Sequence, residues 1–194
     1  MNRQSLILLT VLTLMLGVCQ SVMGWAWAYQ RPLIEAGHYY LLLTGHFVHL
    51  NTIHLGLNTL GLILVLLLFD RVYRWYEWLA WLFSSAIAVS LMMYYCLPTV
   101  TYYVGLSAVL HSLYVAGAMR LLLTPERQFA GVLLVLVSIK LFVENMGMGD
   151  SLTARLIDGH VLTESHLFGA IFAFFASIGV LIFKTLSANH GKIT

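Results

Sequence analysis

The stretch YYVGLSAVLHSLYVAGA, residues 102–118, carries no charge, yet it places a hydroxyl at Ser107 and an imidazole at His111 near the head of an apolar helix. It belongs to an uncharged interval, Trp78 to Met119, that is too long for one membrane crossing at about 20 residues per spanning helix. Pro98, within CLPTVTYY, divides the interval in two, because proline lacks the N–H that a continuing helix bonds and its ring crowds the preceding turn. Residues 103–123 therefore read as a separate span, and the other spans are counted outward from it.

Towards the N-terminus, Gln4 to Gln30 and Ala36 to Phe69 hold no Asp, Glu, Lys or Arg; towards the C-terminus, apolar runs extend from Phe129 to about Met146 and from about Thr163 to Leu186. The composition agrees: 60% of the 194 residues are hydrophobic and 9% charged, with a mean hydropathy of +0.87, against about 25% charged residues in an average soluble domain. The reading is an all-α membrane protein, a single membrane domain over 1–194, with six spanning helices at about 5–28, 39–69, 75–97, 103–123, 129–147 and 163–186. No linker, soluble domain or internal repeat interrupts it. The first run is expected to be a retained span: it continues for more than twenty residues without a small-x-small exit, and in LGVC a valine, Val18, stands where a lipoprotein site has a small residue.

A net charge of +2, with ten Lys and Arg scattered along the chain, excludes nucleic acid as a partner. The cysteines, Cys19 and Cys96, are far apart within apolar stretches and make neither a disulfide framework nor a CxxC metal signature. Arg3, Arg71, Arg74, Arg120, Arg127, Lys184 and Lys192 fall on one side of a six-span chain, and only Arg31 and Arg155 on the other. The excess of positive charge marks the cytoplasmic side, so both termini are expected there, with TYYVGLS at the outer end of the fourth span.

An ionisable or strongly polar group inside a span costs up to about 3 kcal/mol and so needs a reason to be there. Three sets stand out, each near the outer end of its helix. HLNTIHLGLN on the second span holds His49, Asn51, His54 and Asn58; Ser107 and His111 are four apart on the fourth; TESHLFGAIFAF on the sixth brings His166, with Glu164 close by in sequence. Gly105, Ala108, Ser112 and Ala116 form a stripe of small residues on the fourth span, matched by His166, Gly169, Ala173 and Ser177 on the sixth. Such stripes let membrane helices approach backbone to backbone, which would bring a serine and a histidine together. Packing alone is the plainer account of the stripes; the polar residues argue for more.

A serine becomes a nucleophile when a base takes its proton, and neutral imidazole is the usual base. The oxyanion that follows needs hydrogen-bond donors; His54, Asn58 and the Ser107 backbone N–H at a helix start are the candidates. No acidic third member is evident apart from Glu164, so a Ser/His dyad is the expectation. His111, one turn deeper on the same helix as Ser107, reads as structural or substrate-contacting. Lys140 and Glu144, four apart on the fifth span, are expected to pair, with a role in substrate contact as the second reading. His46 and His49 read as satisfying the helix start. No metal is expected, because no HExxH motif or acidic ligand accompanies these histidines.

The trio HLGLN, GLSA and SHLFGA, on the second, fourth and sixth spans, resembles the rhomboid intramembrane serine proteases. YVGLSAVLHSLYVAGA and the KLFVE of residues 140–144 are more similar to the rhombosortase branch. The resemblance covers nearly the whole chain and implies a six-transmembrane-helix rhomboid-like bundle in the bacterial inner membrane, with its active site towards the periplasm. Ser107 then matches the nucleophile, His166 the base, and His54 and Asn58 the oxyanion pair. Two departures, Ala108 and Ser112 where glycine is usual, leave these groups untouched. The implied substrate is an exported, membrane-anchored protein ending in a Gly-Gly motif, a transmembrane segment and a basic cluster. The acyl group would pass to water or to an amine on a lipid-like head group, with no cofactor.

An ordinary rhomboid endopeptidase hydrolysing transmembrane substrates is the alternative. Of other classes, a haem protein would use the histidines of the second, fourth and sixth spans and show a Soret band, but haem needs no Gly-x-Ser at a helix start. A non-catalytic relative that only escorts membrane proteins would not be expected to keep both Ser107 and His166. The fifth span and the loop NMGMGDS, residues 145–151, are the expected path of substrate access.

Overall fold

The computed structural model describes residues 3–147 and 152–190. The first span is α1 (Arg3–Val18), continued by a π turn at Cys19–Met23 and a 3-10 turn at Gly24–Trp27. A two-residue strand β1 (Tyr29–Gln30) and the short helices α2 (Arg31–Glu35) and α3 (Leu41–Thr44) follow. The longer elements are α4 (Thr52–Leu68), α5 (Trp75–Cys96), α6 (Ser107–Leu121), α7 (Arg127–Asn145) and α9 (Thr163–His190). A strand β2 (Tyr102–Tyr103) precedes α6, and a single turn α8 (Leu152–Leu156) precedes α9. The result is an all-α membrane bundle whose only described sheet is the antiparallel β1–β2 pair.

Among the described residues, four stretches are long and apolar enough to cross a membrane: Arg3–Trp27, Trp75–Cys96, Arg127–Asn145 and Thr163–Lys184. A fifth forms if Leu41–Phe47 and Thr52–Leu68 are taken together, although they meet at 92°. The helix expected over 39–69 is thus broken. Val48 is extended, and Asn51, extended in its turn, accepts the His54 N–H through its side chain at 2.9 Å. An asparagine cap satisfies one of the first-turn donors and starts a new helix, an outcome that the absence of Asp, Glu, Lys and Arg over 36–69 conceals.

The helix expected over 103–123 begins instead at Ser107. Tyr102 and Tyr103 pair with Gln30 and Tyr29, and Gly105 has φ +120°, backbone that a side chain rarely adopts. A Cβ there would also lie 2.7 Å from the His54 ring. At fifteen residues α6 is short, and it is buried on nearly every side, as expected of a helix apolar all round. It packs against α4, α5, α7 and α9, most extensively α9.

The small-residue stripes account for that contact. A Cβ on Gly169 would run into the Ala108 carbonyl oxygen and lie 3.0 Å from its carbonyl carbon. Ala173 and Ala116 are fully buried in one cluster shared by α6, α7 and α9. Ser112, where glycine was the family expectation, shares a 2.6 Å hydrogen bond with Ser85 of α5.

Arg31, which the sequence offered only as a charge for orientation, closes the end of α5. Its Nη2 donates to the carbonyls of Met93, Tyr94 and Leu97 and its Nε to that of Val100, while the guanidinium lies 4.6 Å over the Tyr94 ring. A cation at a helix C-terminus meets the unpaired carbonyls and the dipole together.

The π turn gives Gln20 a comparable role. Its side chain donates to the His49 carbonyl at 3.2 Å and accepts the His49 N–H at 2.7 Å, tying α1 to the segment that leads into α4. Gln20→Ala leaves both backbone groups unpaired next to a buried residue and is expected to cost about 1–3 kcal/mol. Thermal unfolding in detergent measures it; an unchanged midpoint would show that the two bonds contribute nothing.

Candidate functional site

The polar sets singled out by spacing converge on one cavity of about 970 Å³, lined by His54 and Asn58 from α4, Ser107 and His111 from α6, Lys140 and Glu144 from α7, and His166 from α9. Its apolar walls come largely from α4 and α7, through Leu57, Leu64, Leu68, Leu136 and Val137, and Thr101–Val104 also border it. The β1–β2 pair and the bond from Gly105 N–H to the Gly45 carbonyl, 3.1 Å, hold the chain that delivers Ser107.

Ser107 opens α6 as its first helical residue, so its backbone N–H lies in the turn that has no intrahelical acceptor. Its Oγ is 2.8 Å from His166 Nε2. His166 is 5% exposed, and the close α6–α9 packing places it there. The opposite ring nitrogen, Nδ1, is 3.1 Å from Glu144 Oε2. Glu144 is thus the carboxylate beside the imidazole. Glu164, the nearest acid in sequence, lies on the same cavity without a hydrogen bond to the ring, as residues two apart on a helix point to different faces.

Lys140 and Glu144 pair as expected, Nζ to Oε1 at 2.5 Å. Lys140 Nζ also reaches His111 Nε2 at 3.0 Å. The His111 Nδ1 bonds the Ser107 carbonyl, 2.7 Å, rather than its hydroxyl, and the ring stacks on His166 with centroids 4.3 Å apart and planes 16° from parallel. His111 therefore packs against the His166 ring and does not bond the Ser107 hydroxyl.

The oxyanion candidates are placed less directly. Asn58 Nδ2 donates to the His54 carbonyl of its own helix at 3.1 Å, although Asn58 borders the cavity. The His54 ring covers Gly105 and meets His49 edge to face, centroids 5.0 Å apart. Both ring nitrogens of His49 are buried without a partner among the described residues. His46 bonds Ser90 through Nε2, 3.0 Å. Neither His46 nor His49 reaches Ser107. The ligand atoms of His111, Glu144 and His166 lie within 4.8 Å of one another, close enough for a metal ion; the Lys140 ammonium already bonds two of the three residues. Of the loop over 145–151, residues 148–151 lie outside the described residues.

The described residues thus form a polytopic helical bundle with a serine and a histidine hydrogen-bonded beside a cavity. The family model for the Rhomboid domain matches residues 36–183, and the chain belongs to the rhomboid family. A comparison with curated proteins gives no match. The chain is accordingly a multi-pass membrane protein of an intramembrane protease family.

Proposed function

We propose that the protein is a serine peptidase in which Ser107 is the nucleophile and His166 the base, and that its substrates are membrane-anchored proteins of the rhombosortase type. The observation that carries the catalytic reading is the 2.8 Å Ser107 Oγ–His166 Nε2 contact in the lining of the cavity.

Ser107 Oγ attacks the scissile carbonyl carbon while its proton passes to Nε2 of His166. The oxyanion is met by the Ser107 N–H at the head of α6 and by His54 and Asn58 from α4, the Asn58 amide turning from the His54 carbonyl to do so. Collapse of the intermediate breaks the C–N bond, and the leaving amine takes the proton from His166. Water or an amine then attacks the acyl-enzyme ester, giving its proton to His166, and Ser107 is released with its proton restored. The apolar α4 and α7 walls suit a transmembrane segment beside the scissile bond. Further support for the substrate class comes from the YVGLSAVLHSLYVAGA and KLFVE resemblance.

The protein sits in the bacterial inner membrane with both termini cytoplasmic and its site towards the periplasm, in line with the distribution of Lys and Arg. A single membrane domain carries the activity, and the acceptor of the acyl group is water or an amine on a lipid-like head group.

Coexpression of a membrane-anchored reporter ending in a Gly-Gly tail, read by intact mass, tests this. Loss of the tail with the native chain but not with Ser107→Ala is expected, and added mass on the new C-terminus would identify transfer to an amine. Equal processing by both chains would remove Ser107 from the reaction. A reporter untouched by the native chain, beside cleavage of a transmembrane substrate lacking Gly-Gly, would favour the ordinary rhomboid endopeptidase.

A further inference from the structure

We infer that Glu144 is a positioning residue for His166, so that the centre works as a Ser107–His166–Glu144 relay whose protons are placed by a closed ring of hydrogen bonds. The inference rests on the Ser107–His166 reading above and deepens it.

The ring runs through five side chains and one carbonyl. Ser107 Oγ meets His166 Nε2, His166 Nδ1 meets Glu144, Glu144 meets Lys140, Lys140 meets His111 Nε2, and His111 Nδ1 returns to the Ser107 carbonyl. Two members fix the direction of every bond. A backbone carbonyl only accepts, and an ammonium only donates. His111 must therefore carry its proton on Nδ1, facing the Ser107 carbonyl, and present a bare Nε2 to Lys140. Glu144 accepts from Lys140 through Oε1 and, as a carboxylate, accepts again through Oε2 from His166. The His166 proton is thereby held on Nδ1, and Nε2 is left with its lone pair 2.8 Å from the Ser107 hydroxyl. That is the tautomer a general base needs.

Burial and stacking reinforce the arrangement. The Glu144 side chain is 14% exposed and that of His166 6%, so their contact is little screened. Lys140 supplies the opposite charge that a carboxylate within a membrane protein requires. His111, stacked on the His166 ring, opposes rotation about the Cβ–Cγ bond that would exchange the two nitrogens. When the serine proton arrives, the imidazolium finds an anion already at Nδ1, without rearrangement of neighbouring dipoles. Glu144 touches neither substrate nor scissile bond; it acts through His166.

The test uses a fluorescent alkyl fluorophosphonate on the detergent-solubilised full chain. An activated serine forms an O–P bond with this probe, the P–F bond breaks, fluoride leaves and the serine proton goes to the base, so no natural substrate is needed. The native chain is expected to be labelled and Ser107→Ala is not. Glu144→Gln keeps the shape but offers an amide N–H to Nδ1, which places the ring proton on Nε2. Its maximal labelling rate is expected to fall by about 10⁴-fold, the scale reported for the same change in a serine triad, with the half-saturating probe concentration little altered. Added formate is expected to restore part of the rate to Glu144→Ala, where space for a carboxylate exists, and none to Glu144→Gln.

Labelling of Glu144→Gln at the native rate, with Ser107→Ala unlabelled, would overturn the positioning role and leave the nucleophile standing. A slow Glu144→Gln with a lowered unfolding midpoint, together with a Glu144→Ala that formate does not help, would overturn it in favour of a structural role. A native chain that is not labelled, or a Ser107→Ala chain labelled equally well, would overturn the Ser107 reading itself.

Discussion

Ser107→Ala and His166→Ala are each expected to lower the rate of peptide-bond cleavage by on the order of 10⁶-fold, and combining them to cost almost nothing further. The Ser107 Oγ and His166 Nε2 atoms are 2.8 Å apart and, in the proposed mechanism, act as one unit: the hydroxyl would be inert without the base, and the base would have no proton to take without the hydroxyl. Single-turnover cleavage of a transmembrane reporter by the two single variants and the double variant measures the coupling. Losses that multiply in the double variant would mean that the two residues serve different steps, and the shared mechanism would fall.

The second large effect concerns a residue with no chemistry of its own. Gly169→Ala adds a methyl group where the Ala108 carbonyl already stands, with the Ser112 amide nitrogen 3.4 Å away. Backbone cannot give way as a side-chain tip can, so α9 must shift from α6. Overpacking of this kind costs about 1–3 kcal/mol, seen as a lower unfolding midpoint in detergent. The larger consequence is catalytic: Gly169 is three residues from His166, and a displacement of about 1 Å at a reacting pair costs on the order of 10²-fold. Cleavage is expected to fall by that factor in protein that remains folded. Native activity in Gly169→Ala would show that the close approach of α6 and α9 does not set the position of His166.

Much of this site was legible because its logic is local. Gly105, two residues before Ser107, and His166 each begin a stripe of small residues, and stripes on two helices foretell a close approach whatever lies between them. Lys140 and Glu144 were legible as a pair for the same reason, being one helical turn apart. Glu144 as the partner of His166 was not. The two are 22 residues apart on different helices, and only the packing of α7 beside α9 brings them together, whereas Glu164 is close in sequence and on the wrong face. The interruption at 48–51 was hidden because its chemistry rests on one asparagine: Asn51 caps α4 and also donates to the Ile157 carbonyl at 2.7 Å, a bond that apolar composition cannot announce. The late start of α6 was hidden for a related reason, since residues 103–106 read as helix until the pairing of Tyr103 with Tyr29 is known.

The helix that carries Glu144 and Lys140 is also one of the two apolar walls of the cavity, and it buries only Ala130, Leu133, Val137 and Leu141. The serine and the imidazole sit on α6 and α9, the most extensively packed pair in the molecule. Were α7 displaced from α9, Glu144 would part from His166 while the Ser107–His166 contact stayed whole, since that contact lies on the other two helices. On the proposed mechanism the serine would then be fully supported only while α7 is seated against α9, so that the helix bordering the cavity would also govern its chemistry.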